Sequence, residues 1–151
     1  MTNSDARWMA DAIVEAEAAF EAGEIPVGAV VVLEDRVVGR GHNRGVRTGQ
    51  PFEHAEMAAL WQTVESVGAR ALEQAVLYST VEPCVMCVGA VLLARLPRVV
   101  FGAREPRTGA CESVLAIPNE PRLLHRVTVI GGVEEARCRD LMQRFFETRR
   151  A

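Results

Sequence analysis

Apolar residues recur at helical spacing in the opening segment, then give way to a nearly unbroken run. Trp8, Ala12, Ile13, Ala16 and Phe20 share one face of a helix predicted from about Ala6 to Ala22. Ser4 or Asp5 is placed to cap its start, and Gly23 to end it. Val27 to Leu33 is rich in β-branched residues without clean alternation, as expected of a strand covered on both faces. The polar turn Glu34-Asp35-Arg36 returns the chain into a second strand, Arg36 to Gly41, and predicts a hairpin.

Glycine, asparagine, arginine and proline make His42 to Glu53 a loop. A helix follows over Ala55 to Val67, ended by Gly68, then a short strand over Ala75 to Ser79. Cys84 to Ala94 is a helix and Arg98 to Phe101 a strand. Gly102 to Pro121 is irregular, with a short helix placed near Ser113 to Ala116. Arg126 to Ile130 is the last strand and Val133 to Arg149 the last helix. Such alternation predicts an α/β fold whose central sheet carries helices on both faces. Residues 1–151 are expected to form a single domain.

Composition adds bounds. A hydrophobic content of 49% and a charged content of 25% are ordinary for a soluble globular chain. The net charge of −3 does not advertise nucleic-acid binding by the surface as a whole. All 17 basic residues are arginines, which suit bidentate phosphate contact and base stacking, although compositional bias produces the same pattern. No run approaches the ~20 apolar residues of a membrane span. The first residues lack a basic stretch followed by an apolar core, so a cytoplasmic location is expected by default.

The 4 cysteines in a reducing compartment argue against a disulfide framework. Cys138 falls on an apolar helical stripe with Leu141, Met142 and Phe145 and is expected to be buried packing. Cys111 is expected to be a small, partly buried loop residue, with proximity to a substrate pocket as the lesser alternative.

Cys84 and Cys87 differ. They stand three apart at a helix start preceded by Pro83, which puts both sulfurs on one side of the first turn. The positive helix end and a metal both favour thiolate. No second Cys-x-x-Cys completes a closed four-cysteine site, and His54 supplies the third ligand from another helix start. Three protein ligands leave one coordination position open, as in catalytic zinc sites. Glu56 is the unligated carboxylate. Residues two apart in a regular helix point apart, so His54 and Glu56 converge only if His54 lies at the helix entry. From there Glu56 can move the protons of a zinc-bound water. The spelling His54-Ala55-Glu56 then Pro83-Cys84-Val85-Met86-Cys87 narrows the chemistry to nucleobase deamination. Glu53 is expected to be solvated or to support a metal ligand from outside, rather than to be catalytic. Asn43 lies in a loop bounded by Gly41 and Gly45, where asparagine is usually a turn former but could also read a ring edge.

The chain resembles the bacterial tRNA-specific adenosine deaminase family, within the cytidine deaminase-like superfamily. The resemblance rests on Val81 to Cys87, on Arg98-Val99-Val100-Phe101-Gly102-Ala103-Arg104, and on Thr108-Gly109-Ala110. Ile25 to Val30, Phe145-Phe146 and Arg149-Arg150 add to it. It implies a three-layer α/β/α sandwich around a five-stranded mixed sheet, one zinc ion per subunit, and a homodimer. It implies hydrolytic deamination of adenosine to inosine at the tRNA wobble position. Asn43 would bind the flipped base, and Val27 and Ala29 would line its pocket. Arg104 and Arg107 would approach the anticodon loop backbone, with Phe146, Arg149 and Arg150 near the RNA. Two departures stand out. Gln50-Pro51-Phe52-Glu53 replaces the family's common Asp-Pro-Thr-Ala, and Glu105 replaces an aspartate. The competing expectations are a deaminase of a free base or related heterocycle such as guanine, and a catalytically idle RNA-binding or scaffold protein that keeps zinc only for stability.

Overall fold

The computed structural model describes residues 3–150, with side chains through Arg149. The long apolar run forms β1 (Gly28–Leu33), which returns as β2 (Arg36–His42). Leu33 pairs with Arg36, so only Glu34 and Asp35 make the turn, both at positive φ of 50° and 62°. That conformation matches the right-handed twist of the strands it joins. The remaining strands are β3 (Val76–Val81), β4 (Arg98–Ala103) and β5 (Thr128–Ile130). The sheet order is β2-β1-β3-β4-β5. β1 is antiparallel to both neighbours, whereas β3, β4 and β5 run parallel.

Alternate residues of the central strands feed two cores. Val30, Val32, Tyr78 and Val100 face α1 (Asn3–Glu21) and α5 (Glu135–Arg150). Ala29, Val31, Leu77 and Val99 face α3 (Ala55–Val67) and α4 (Val85–Ala94). Alanines on the inner faces of α1 and α3 let these helices approach the sheet closely. A Cβ on Gly28 would lie 2.1 Å from the Ala12 carbonyl oxygen, and one on Gly39 would lie 2.3 Å from that of Ala59. Only glycine fits at either position. The result is the expected three-layer α/β/α sandwich. Among the described residues, no helix is long and apolar enough to cross a membrane.

Several boundaries depart from expectation for physical reasons. Neither proposed cap residue precedes α1, because the helix already begins at Asn3. Asp5 lies inside it, fully buried, and accepts hydrogen bonds from Arg98 and Tyr78. The 42–53 loop contains a single turn, α2 (Gly45–Thr48), whose Val46 and Arg47 amides donate to buried Glu24 at 2.8 Å each. Strands β3 and β4 extend further than expected because their pairing continues to Val81 opposite Ala103. A 3-10 turn over Ala69–Gln74 was not foreseen. The short helix expected near Ser113 is replaced by a 3-10 turn over Ile117–Asn119, where Pro118 occupies a helix-start position.

Candidate active site

Two helix starts meet at the end of the parallel strands. His54 precedes α3 in extended backbone, with φ −83° and ψ 150°. Cys84 precedes α4 with φ −81° and ψ 178°. Neither side chain caps its helix, so imidazole and thiol are free to turn toward each other. Asn43 takes part of the capping role, since its Oδ1 accepts from the Ala55 amide at 2.8 Å.

The three donor atoms form a compact triangle. Cys84 Sγ lies 3.5 Å and Cys87 Sγ 3.6 Å from His54 Nδ1, and the sulfurs are 3.9 Å apart. Tetrahedral zinc, with bonds of about 2.3 Å to sulfur and about 2.0–2.1 Å to nitrogen, sets sulfurs about 3.8 Å apart and sulfur from nitrogen about 3.6 Å. The triangle therefore fits a metal of that kind, and among the described residues these three are placed so that they could hold one.

Electrostatics agree with the chemistry of the set. The contact with Cys87 lowers the Cys84 thiol to about 3, against burial, and His54 adds to the effect. The same contact and burial push Cys87 the other way. The Cys84 contact raises His54, opposed by burial and aided by Glu56. Glu56, in the first turn of α3, is buried. Burial pushes its carboxyl up to about 7, against its own backbone amide and His54. A carboxyl in that range can both take and give a proton near neutrality.

Above this cluster lies a cavity of about 190 Å³ with His54, Glu56 and Cys84 in its lining. Drug-sized sites run to about 300–1,000 Å³, so this one suits a single planar ring. Val27, Asn43 and Phe146 line it. Ala29 does not. It lies one inward-facing position further along β1, fully buried against the α3 side of the core.

The arginines differ in how firmly they are held. Arg104 is held by Glu112 at 3.2 Å and Glu135 at 3.0 Å, both away from the cavity lining. Arg107 is exposed, with Nε 3.9 Å from Glu105. Arg149 donates to the Gly23 carbonyl and stacks over Phe145. The Arg150 side chain lies outside the described residues. Glu53 is half-buried and lines a neighbouring cavity together with Asn43 and His54, not the one above Glu56.

Two contributors were not singled out from the sequence. Met142 lines the cavity beside Phe146, and its sequence signal was its place on the stripe through Cys138 and Phe145. Glu82 is buried and accepts hydrogen bonds from the loop that forms one wall. Burial would raise its pKa, but the Ser113 hydroxyl and amide, with the Glu112 and Glu105 amides, lower it overall. Its signal was an acid immediately before Pro83-Cys84.

Residues 3–150 match the model of the MafB19-like deaminases. With its fold and donor triangle, the chain is a deaminase of the cytidine deaminase-like architecture. It is 39% identical over 142 residues to the tRNA-specific adenosine deaminase of Bacillus subtilis (strain 168), covering 94% of this chain and 88% of that one. A solved tRNA:A34 deaminase, studied for A-to-I editing at the wobble position, superposes with a TM-score of 0.84 at 38% identity, over 89% of this chain and 98% of that one. Guanine deaminase from Bacillus subtilis superposes with a TM-score of 0.62 at 32% identity, over 69% of this chain and 66% of that one. The chain belongs to the tRNA-specific adenosine deaminase family.

Proposed function

We propose that this chain converts adenosine to inosine at the wobble position of a tRNA anticodon loop, as a cytoplasmic, single-domain zinc enzyme. The observation that carries the reading is buried Glu56 beside the His54, Cys84 and Cys87 triangle, at the floor of a cavity sized for one base. A scaffold that kept a metal only for stability would have no use for that carboxylate.

His54, Cys84 and Cys87 would hold one zinc ion per subunit. Zinc at such a site acidifies a water, which supplies a nucleophile at neutral pH. Glu56 takes the proton that this nucleophile gives up as its oxygen bonds to C6 of the adenine ring. Glu56 then returns a proton to N1 and carries the next to the exocyclic nitrogen. The C6–N6 bond breaks, ammonia leaves, and the ring keeps the oxygen as inosine. Asn43 has its Oδ1 occupied by the Ala55 amide, so it offers the cavity an N–H donor. That donor suits an acceptor on the edge of a flipped base. Val27 and Phe146 supply apolar walls.

The chain would work as a homodimer. Trp61 on α3 and Leu93 on α4 are 71% and 89% exposed. Both line an apolar groove of about 480 Å³ on the outer face. A second copy would cover such a patch.

The test is ammonia release from an anticodon stem-loop with adenosine at the wobble position, beside guanine and other free bases. Turnover of the stem-loop alone supports the proposal. Turnover of guanine alone would replace it with the free-base reading, which the likeness to guanine deaminase favours.

A further inference from the structure

Glu82 is buried one residue before Pro83-Cys84, yet its hydrogen-bond partners are neither a cation nor the metal triangle. Its Oε1 accepts from the Glu105 amide at 3.1 Å and from the Ser113 hydroxyl. Its Oε2 accepts from the amides of Cys111 at 3.1 Å, Glu112 at 2.8 Å and Ser113 at 2.9 Å. The carboxylate thus gathers amides from both ends of the 105–113 loop. The neighbouring backbone reinforces the closure. The Ala110 amide donates to the Pro83 carbonyl at 2.9 Å, and the Glu82 amide to the Ala103 carbonyl at 2.8 Å. Gly109 has no room for a side chain, because a Cβ there would sit 2.3 Å from the Glu82 carboxyl carbon.

The same loop places Glu105 and Thr108 in the wall of the cavity above His54, Glu56 and Cys84. One side chain therefore joins that wall to the segment that carries a metal ligand. We propose that Glu82 is a positioning residue that fixes the Glu105–Thr108 wall relative to the metal centre and so sets how the substrate fits. The proposal rests on the deaminase reading of the site.

Carboxylate chemistry is what the geometry demands. Both oxygens receive donors, so a glutamine of the same shape would turn an NH2 group toward N–H or O–H donors. The Glu105 amide loses its acceptor if the nitrogen takes the Oε1 place, the Ser113 hydroxyl being able to rotate and accept, and the three amides of residues 111–113 lose theirs if it takes the Oε2 place. The wall touches the bound base rather than the reacting atoms, so its displacement removes uniform binding, which raises KM and leaves kcat.

The experiment compares wild type, Glu82→Gln and Ser113→Ala. Three quantities are measured: zinc content, hydrogen exchange at residues 105–113, and kcat and KM on the anticodon stem-loop. Glu82→Gln is expected to keep its zinc, to exchange the Glu105 amide or the 111–113 amides at least about 10-fold faster, and to raise KM about 10- to 100-fold with kcat within about 3-fold, as expected when uniform binding is lost. Ser113→Ala removes one bond only and should raise KM a few-fold. It carries the test if Glu82→Gln does not fold. Faster exchange with an unchanged KM would overturn the proposal, as would unchanged exchange. Loss of zinc in parallel with KM would mean that Glu82 secures the metal ligand rather than the wall. A wild-type chain with no turnover on any base would sink the deaminase reading and the kinetic half of the proposal, while the exchange data would still decide whether Glu82 clamps the loop.

Discussion

Replacing Asp5 with alanine removes the junction that ties α1 to the starts of two central strands. Its carboxylate accepts from the Arg98 guanidinium at 2.9 and 2.6 Å and from the Tyr78 hydroxyl at 2.8 Å. The Asp5 side chain is 1% exposed and that of Arg98 25%. Removing one partner of a fully buried ion pair costs about 3–5 kcal/mol, because a charge is left behind in a poor solvent. Water reaches the partly exposed Arg98, which lowers the expected loss to about 2–3 kcal/mol. In a domain of this size each kcal/mol shifts Tm by about 2–4 °C, so melting should fall by about 4–12 °C. Urea denaturation followed by tryptophan fluorescence measures the loss directly, with Trp8 on α1 as a reporter. A loss below about 1 kcal/mol would refute the view that this junction is a buried ion pair.

Tyr78 gives the same perturbation a spectroscopic readout, since it is the 1 tyrosine in the chain. Burial first, then the Asp5 hydrogen bond and charge, push its phenol up to about 12. The folded value lies above the ordinary 10, so the neutral phenol is the form that folding favours. Its contribution is fully present below pH 10 and is lost as pH rises through about 12. Phenolate absorbance in wild type should appear only toward pH 12. In Asp5→Ala the rise should come earlier, because the Asp5 hydrogen bond and charge are gone while the Arg98 guanidinium, which lowers the phenol, remains. Coincident titration curves would show that Asp5 does not act on the phenol.

Other expectations concern the site. Glu56→Ala should retain stoichiometric zinc while turnover falls about 10²- to 10⁴-fold, the range of a lost acid–base group; zinc analysis beside the ammonia assay checks it, and joint loss of metal and activity would remove its proton-transfer role. Cys87→Ala should release the metal and lower Tm, since metal binding and folding are coupled; elemental analysis after gel filtration reads the first and calorimetry the second. Arg107 is exposed and only loosely near Glu105, so Arg107→Ala should reduce the salt slope of stem-loop binding by about 0.7–0.9. Arg104 is already engaged by Glu112 and Glu135, so Arg104→Ala should leave that slope unchanged, which filter binding between low and moderate salt would show.

The sheet and its covering helices were legible because their signals are local and periodic. The β-branched run at Val30-Val31-Val32 announces a central strand, and that strand is indeed covered on both faces. The helix ended by Gly68 matches its expected bounds. Boundaries slipped where a distant partner decides them. Asp5 looks like a helix cap until Arg98, 93 residues away, claims its carboxylate. The end of β3 depends on Ala103 of another strand, and the one-turn helix at Gly45 depends on Glu24.

The same distinction divides the site. His54, Glu56, Cys84 and Cys87 could be picked out because each helix start presents a short, fixed spacing, and two helix starts meeting at strand ends make the donor triangle. The walls are assembled from pieces that carry no spacing of their own. Val27 enters from a strand start, Met142 and Phe146 from the last helix, and Glu105 with Thr108 from an irregular loop. That loop has one regular feature, the convergence of its amides on Glu82, and nothing along the chain between Glu82 and Ser113 marks the pairing. Substrate selection in such a site rests on the parts least visible in sequence, which is why catalytic chemistry and substrate must be tested by separate measurements.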